Sequence, residues 1–391
     1  FRRETRPFVL DLELQAVGLK LPVLGANGLP TGETVPFQTY SFAITSDRQG
    51  DIYVGKVGLQ YILYSFGKIG AACDIADANA AVNGEDCNRT ELETVFSVKR
   101  DFYTVLLARE LVSVMQETRA SLDAHLKAVR LRYNEGLASR FDVLRAEVQI
   151  ANIDPQLSKA ENQLDLSLLA FNVDLGEGPD GGYSPKGELK YEKESFILEK
   201  CVERALASRS EIRQMELRKS MAKSARTIAV AGWLPTLVAT GNYQANKGQL
   251  LPPNQDKWQS GWDAGAALSM PIFDGLNAKA KVAEADSNIA QTKIIGDQLS
   301  KMVELEVRSS YLALKNAEET IPAQGENVKA AKESLSIIKE RYNQGLATNL
   351  EVLDTEVAVL QSRINYLQAL YDYNTAKEKL KKSIGTPVKE D

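Results

Sequence analysis

The chain repeats itself, and the repeat constrains its fold more than any other feature. Arg132-Tyr133-Asn134-Glu135-Gly136-Leu137-Ala138 returns as Arg341-Tyr342-Asn343-Gln344-Gly345-Leu346-Ala347, an offset of 209 residues. The same offset takes Val143-Leu144 to Val352-Leu353, Glu147-Val148 to Glu356-Val357, Phe102 to Tyr311, Ala108 to Ala317 and Leu175-Gly176 to Ile384-Gly385. An offset one residue smaller takes Gly67 to Gly275. Self-similarity over so long a stretch means one structural unit used twice.

Each unit has the same order: alternating strands, a long helix, a tight turn and a second long helix. From Gly67 to Asn134 the helical pattern is almost unbroken, which at 1.5 Å per residue makes a rod of roughly 100 Å. No globular core is that long. Apolar residues recur at threes and fours beside many Glu, Lys, Gln and Asn, the narrow stripe of helices packed side by side as in coiled coils. Asn83-Gly84-Glu85-Asp86 is expected to interrupt the first rod and Gly296 the third, and Pro155 and Pro322 to kink theirs. A linker, Glu177 to Phe196, is rich in Gly, Pro and charge. One helix is then expected from Ser195 to Gly232, with no counterpart before the first copy's strands.

The turns have a physical logic. Gly136 and Gly345 stand where a helix end needs positive φ, which Gly adopts without strain. Ser139-x-x-Asp142 and Thr348-x-x-Glu351 read as capping boxes that open the next helix.

Before each helix pair the sequence alternates in polarity. Phe8, Leu10, Leu12, Leu14 and Ala16 oppose Asp11, Glu13 and Gln15, and Tyr53, Val57, Leu59, Tyr61 and Leu63 oppose Lys56 and Gln60. In the second copy Leu237, Ala239 and Tyr243 oppose Thr240, Asn242 and Gln244, and Trp262, Ala264, Ala266, Leu268 and Met270 oppose Asp263 and Ser269. Alternation alone fits a half-buried soluble sheet as well as a membrane barrel. Strands of about ten residues, with Tyr53, Tyr61, Tyr64, Tyr243, Trp258 and Trp262 among them, favour the barrel, with Asp11, Glu13, Lys56 and Asp263 facing its lumen. Four strands cannot close a barrel, and unpaired edges are not tolerated in lipid. Three copies of four strands would give twelve.

Composition excludes other classes. A formal charge of -5 with no basic patch argues against nucleic acid as a partner. The one histidine, His125, has no second His to work with and is assigned no role beyond a solvated or packed helix position. Cys73, Cys87 and Cys201 match no zinc or redox spacing. Cys73 and Cys87 would lie about 21 Å apart on one continuous helix, too far to bridge, so free thiols are expected although pairing stays open in an oxidising compartment. No apolar run reaches the roughly 20 residues of a spanning helix. No cluster of nucleophile, base and oxyanion donor marks an enzyme, and neither a metal nor any other cofactor is called for.

RYNEGLASRFDVLRAEVQI and RYNQGLATNLEVLDTEVAVL resemble the paired signature of TolC-type outer-membrane efflux proteins. Ala231-Gly232-Trp233-Leu234-Pro235 entering a strand, and Met270-Pro271-Ile272-Phe273-Asp274-Gly275 leaving one, are similar to the same family, and the resemblance covers essentially the whole chain. It implies an α+β membrane protein: a homotrimer with a twelve-stranded barrel in the outer membrane, four strands per protomer, and a tunnel of long coiled-coil helical hairpins in the periplasm. It implies as partners outer-membrane lipid, a periplasmic adaptor at the helical tips and an inner-membrane pump. The cargo of such an efflux or type I secretion duct, whether drug, metal or protein, is chosen by the pump. The alternative is a soluble periplasmic coiled-coil adaptor or scaffold. By the same resemblance a helix equivalent to Ser195–Gly232, and a leader, are expected ahead of Phe1 in the intact protein.

On this basis the expected parts are a first β-hairpin with an extracellular loop (7–66), a first helical hairpin (67–176), an equatorial linker and helix (177–232), a second β-hairpin (233–273), a second helical hairpin (274–385) and a tail (386–391). The resemblance also implies residue roles. Tyr342 matches the tyrosine that latches the inner helix pair to its neighbour, and Asp142 the carboxylate it bonds. Glu351 and Asp354 match an acidic pair facing the lumen at the narrowest point, one helical turn apart on one face. Six such carboxylates from three copies would raise some of their own pKa values and draw cations. Where some members carry a latch arginine this sequence has Ala347. Glu351 and Asp142 are also explained by their capping boxes alone.

Overall fold

The computed structural model describes residues 10–14, 20–24, 30–36, 40–44, 53–179, 181–247 and 257–385, with side chains from residue 55 onward except Asn246. The elements run β1 (Leu10–Leu14), β2 (Lys20–Leu24), β3 (Pro30–Pro36), β4 (Tyr40–Ile44), β5 (Tyr53–Tyr64), α1 (Lys68–Asn134), α2 (Arg140–Asp174), α3 (Leu198–Ser208), α4 (Ser210–Ala231), β6 (Thr236–Lys247), β7 (Gln259–Ser269), α5 (Asn277–Asn343) and α6 (Asn349–Ile384). The repeat is visible in the lengths: α1 and α5 are each 67 residues, α2 and α6 are 35 and 36. The chain divides into two compact units, residues 1–85 with 213–298, and residues 86–212 with 299–391.

The first unit carries the sheets. β5, β6 and β7 form one antiparallel sheet in that order, so a strand of the first copy is hydrogen-bonded to a strand of the second. The hairpin expected across 7–66 is therefore built differently: among the described residues β1 pairs with β4, β2 with β3, and β5 finds its hydrogen-bonded partner in β6. Segment polarity fixes which face a residue takes, whereas strand partnership is set by contacts far apart in sequence.

The register sorts the sheet cleanly. Val57, Tyr243 and Trp262 lie abreast, as do Leu59, Gly241 and Ala264, and then Tyr61, Ala239 and Ala266. On the opposite face Lys56, Gln244 and Gly261 lie abreast, followed by Gly58, Asn242 and Asp263, and then Gln60, Thr240 and Gly265. Asn242 Nδ2 donates to Asp263 Oδ2 at 2.8 Å. Gly58 makes room for that bond, since a Cβ there would meet Asn242 Oδ1 at 2.8 Å. Lys56 and Asp263 thus share the polar face. Asp11 and Glu13 stand opposite Ala43 and Ser41 in the backbone register of β1 and β4, and their side chains lie outside the described residues.

In the same unit the helical segments pack closely. Gly296, expected to interrupt a rod, lies inside α5 and gives close approach to α4: a Cβ there would sit 3.2 Å from Met215. Asn83-Gly84-Glu85-Asp86 likewise stays helical within α1. A single Gly costs a helix about 1 kcal/mol, which neighbouring packing readily outweighs. Gln214 Nε2 donates to the Val82 carbonyl beside that stretch.

The second unit holds the larger core. Leu106, Val303, Val307, Leu314, Ala317, Ile321, Leu370, Tyr373 and Leu380 meet in it, joined by Leu189 of the linker and Cys201 and Ala205 of α3. The linker is docked rather than loose: Tyr373 Oη donates to the Glu192 carbonyl at 2.6 Å, Asn374 Nδ2 to Lys190 and Arg109 Nη1 to Pro185.

The helix expected from Ser195 to Gly232 is two helices, broken at Arg209, whose ψ of 134° is extended. Its buried guanidinium reaches Glu211 at 2.6 Å and Glu306 at 2.5 Å. These carboxylates raise its pKa against the burial that would lower it. Gly385, at φ +73°, closes α6 against the break, and a Cβ there would lie 3.3 Å from Arg209 Cγ. Arginine is a good helix former, so its own propensity does not account for the break, which coincides with its contacts to Glu306 and Gly385. All three cysteines are free, and among the described residues no helix is long and apolar enough to cross a membrane.

Candidate functional site

Both hairpin tips lie in the second unit, and their backbones are copies. At the first, Gly136 N donates to the Tyr133 carbonyl at 3.0 Å and Leu137 N to Arg132 at 2.8 Å; at the second, Gly345 N donates to Tyr342 at 3.0 Å and Leu346 N to Arg341 at 2.8 Å. Both glycines sit at φ +76°. This double bond pattern ends a helix by satisfying its last carbonyls, and it demands the left-handed residue that Gly supplies. Each capping box then opens the next helix. Asp142 N donates to Ser139 Oγ at 3.1 Å while Ser139 N donates to Asp142 Oδ2 at 3.1 Å. Glu351 N donates to Thr348 Oγ1 at 3.2 Å while Thr348 N donates to Glu351 Oε2 at 2.7 Å.

The side chains of the tips are not copies. Glu351 and Asp354 are exposed on α6, and the backbone N–H and hydroxyl of Thr348 hold the Glu351 carboxyl below its ordinary pKa. In the single chain the capping bonds, rather than neighbouring carboxylates, set its titration. The corresponding positions of α2 are Asp142, tied to its cap, and Arg145, whose guanidinium lies 5.5 Å from the Phe141 ring.

Tyr342 is 6% exposed and packs with Leu126, Val129, Val143, Ala146 and Val352, with Ala347 against the cluster. The Arg132 guanidinium stands 4.5 Å over its ring, and the His125 ring is 5.1 Å away. Burial pushes the Tyr342 hydroxyl pKa up. Among the described residues no hydrogen bond joins Tyr342 to Asp142, whose carboxylate turns to Ser139. Tyr342 belongs to the second tip and Asp142 to the first, and the two are not hydrogen-bonded to each other in the single chain.

A polar network lies beneath Tyr342 that the sequence did not reveal. His125 Nε2 meets Asn349 Oδ1 at 2.8 Å, and Asn349 Nδ2 donates to the Asp142 carbonyl at 3.1 Å. Both His125 and Asn349 are buried. Next to them Lys339 Nζ reaches Glu356 Oε1 at 2.6 Å, and Ser121 Oγ donates to the same oxygen at 2.6 Å. The repeat supplied one signal of this: Lys339 and Glu356 are the counterparts of Arg130 and Glu147. His125 and Asn349 correspond instead to Ser334 and Arg140, so their partnership breaks the repeat and left no pattern to find.

Comparison with known proteins places this architecture. The family model described as "Outer membrane efflux protein" matches residues 37–177 and 201–386. The chain is 24% identical over 345 residues to the probable efflux pump outer membrane protein TtgC of Pseudomonas putida, covering 86% of this chain and 69% of that protein. It is 21% identical over 351 residues to the outer membrane protein TolC of Vibrio cholerae, covering 88% of this chain and 79% of that one. Its fold is similar to the crystal structure of the outer membrane protein VceC of Vibrio cholerae, with a TM-score of 0.75, 16% identity, and coverage of 97% of this chain and 86% of the other.

Proposed function

The chain belongs to the outer membrane efflux protein family, and from that membership and the divergence of its tips we propose that it is one protomer of a trimeric exit duct gated at those tips. As an outer-membrane efflux channel with a periplasmic tunnel it conducts rather than catalyses. The proposal adds the subunit number, the gate and the partners.

The observation that carries it is the sorted sheet. Its apolar face leaves Val57, Leu59, Tyr61, Tyr243 and Trp262 exposed, with Trp262 79% open. The opposite face carries Lys56, Gln60, Asn242 and Asp263. An apolar face suits lipid, and a polar face suits a water-filled lumen. Such a sheet cannot end in open edges within lipid, so copies must complete it. With four barrel strands from each protomer, three copies make the barrel. Lys56 and Asp263 then line the lumen, and the polarity alternation of the sequence assigns Asp11 and Glu13 to it as well.

At the hairpin tips, Glu351 and Asp354 from three copies form the constriction. Asp142 and Tyr342 meet as a latch between neighbouring helix pairs, with no arginine at Ala347 to reinforce it. A periplasmic adaptor binds the hairpin tips, and an inner-membrane pump behind it selects the cargo. The adaptor reading of the chain itself is set aside, because the match to the family runs through the strands as well as the helices.

The test is reconstitution. Detergent-purified protein should migrate as a heat-sensitive trimer and give discrete conductance steps in planar bilayers. A monomer that stays soluble without detergent and leaves the bilayer silent would refute the duct.

A further inference from the structure

The buried bridge at the second tip is more than packing. Asn349 is the first residue of α6 and touches two other helices through one amide group: its Oδ1 faces His125 on α1, and its Nδ2 holds the Asp142 carbonyl on α2. An amide that donates to the carbonyl presents its oxygen to the imidazole, so His125 must carry a proton on Nε2. The imidazole orients the amide, and the amide ties the second hairpin to the first. No other side-chain hydrogen bond among the described residues joins α6 to the first turn of α2.

We propose that Asn349, positioned by His125, clasps the two hairpins of each protomer at their tips, and that the clasp lets go when His125 takes up a second proton. This rests on the tips being the gate and adds how that gate is regulated.

The surroundings decide the direction. From α1, Arg132 acts on the imidazole; from α5, Lys339 and the Tyr342 ring; from α6, Asn349 and Glu356; the Asp142 carbonyl of α2 meets the Asn349 amide instead. Burial lowers the imidazole pKa, and the Asn349 bond and Glu356 oppose that while Lys339 and Arg132 add to it. Glu356 is already held by Lys339 and Ser121, so it has little left for an imidazolium. A second proton would put a positive charge on this buried ring beside Lys339 and Arg132, which an opened tip relieves by admitting water. The open state therefore binds that proton more tightly, and acid shifts the population toward it.

The experiment uses intact trimers in planar bilayers, between about pH 7.5 and about pH 5.5, either side of the ordinary imidazole pKa. Open conductance should rise about fivefold on acidification, the lower end of ordinary coupling between sites. In His125→Gln, which keeps an amide donor for Asn349 but cannot titrate, that rise should vanish. Asn349→Ala should raise conductance at neutral pH. Should it fail to assemble, Asn349→Leu, which is close in shape and lacks the Nδ2 donor without adding a charge, makes the same test. An unchanged acid response in His125→Gln, or wild-type conductance in both Asn349 variants, overturns the proposal. Glu351→Ala/Asp354→Ala separates the two levels: if it alters conductance while His125→Gln titrates like wild type, the clasp falls and the gate stands. If it leaves conductance unchanged, the gate placement falls as well.

Discussion

The first and second hairpin tips share a backbone and differ in what they bury. Tyr133 is 41% exposed and its repeat partner Tyr342 is 6% exposed. The ion pair Arg130–Glu147 at 2.7 Å is repeated as Lys339–Glu356 at 2.6 Å, yet the acidic side chain is 34% exposed in the first and 4% in the second. Duplication preserved the turn chemistry, because the glycine and the capping box depend only on local backbone. What faces the neighbouring helices was free to diverge, and the divergence concentrated the buried polar groups on the second tip.

That contrast sets the expected size of each perturbation. The largest effect should come from Lys339→Ala, which strands a buried carboxylate and should cost about 3 kcal/mol or more. Arg130→Ala, at the equivalent exposed pair, should cost under about 1 kcal/mol. Equal losses in denaturation of the two purified variants would break the comparison. Next come Gly136→Val and Gly345→Val, each forcing a branched residue to positive φ at about 1–3 kcal/mol. Because a Cβ meets nothing within 4 Å at either site, the two should lose the same amount. The caps follow at about 1 kcal/mol each for Ser139→Ala and Thr348→Ala, again alike.

The smallest effect is one of pH, and its sign follows from His125. Its folded pKa is lowered, chiefly by burial, so the unfolded chain takes up its proton first. The stability it contributes is complete above the unfolded value of about 6.5 and is lost as pH falls through that value toward the folded one. A melting profile of His125→Gln should be flatter than wild type across that range, and an equally steep profile would assign the acid response elsewhere.

The same division separates what could be seen in the sequence from what could not. Helix ends, caps and strand faces each obey a rule a few residues long, so Gly136, Ser139, Gly345, Thr348, Lys56 and Asp263 could be placed from spacing and parity. The break at Arg209 coincides with contacts to Glu306 and Gly385, and the His125–Asn349 bridge joins residues 224 apart in the chain. Neither leaves a local mark. The pairing of β5 with β6 was hidden for the same reason, since alternation assigns a face but not a neighbour. Glu351 illustrates a middle case: spacing found its cap, family resemblance suggested its lumenal role, and the single chain displays the cap.

The central claim is that the second tip forms the constriction of the duct, and ion selectivity tests it most directly. Across a salt gradient in planar bilayers, wild-type trimers should show a cation-selective reversal potential and block by multivalent cations, and Glu351→Ala/Asp354→Ala should move that potential toward zero and relieve the block. A double variant with the wild-type reversal potential and undiminished block would contradict it.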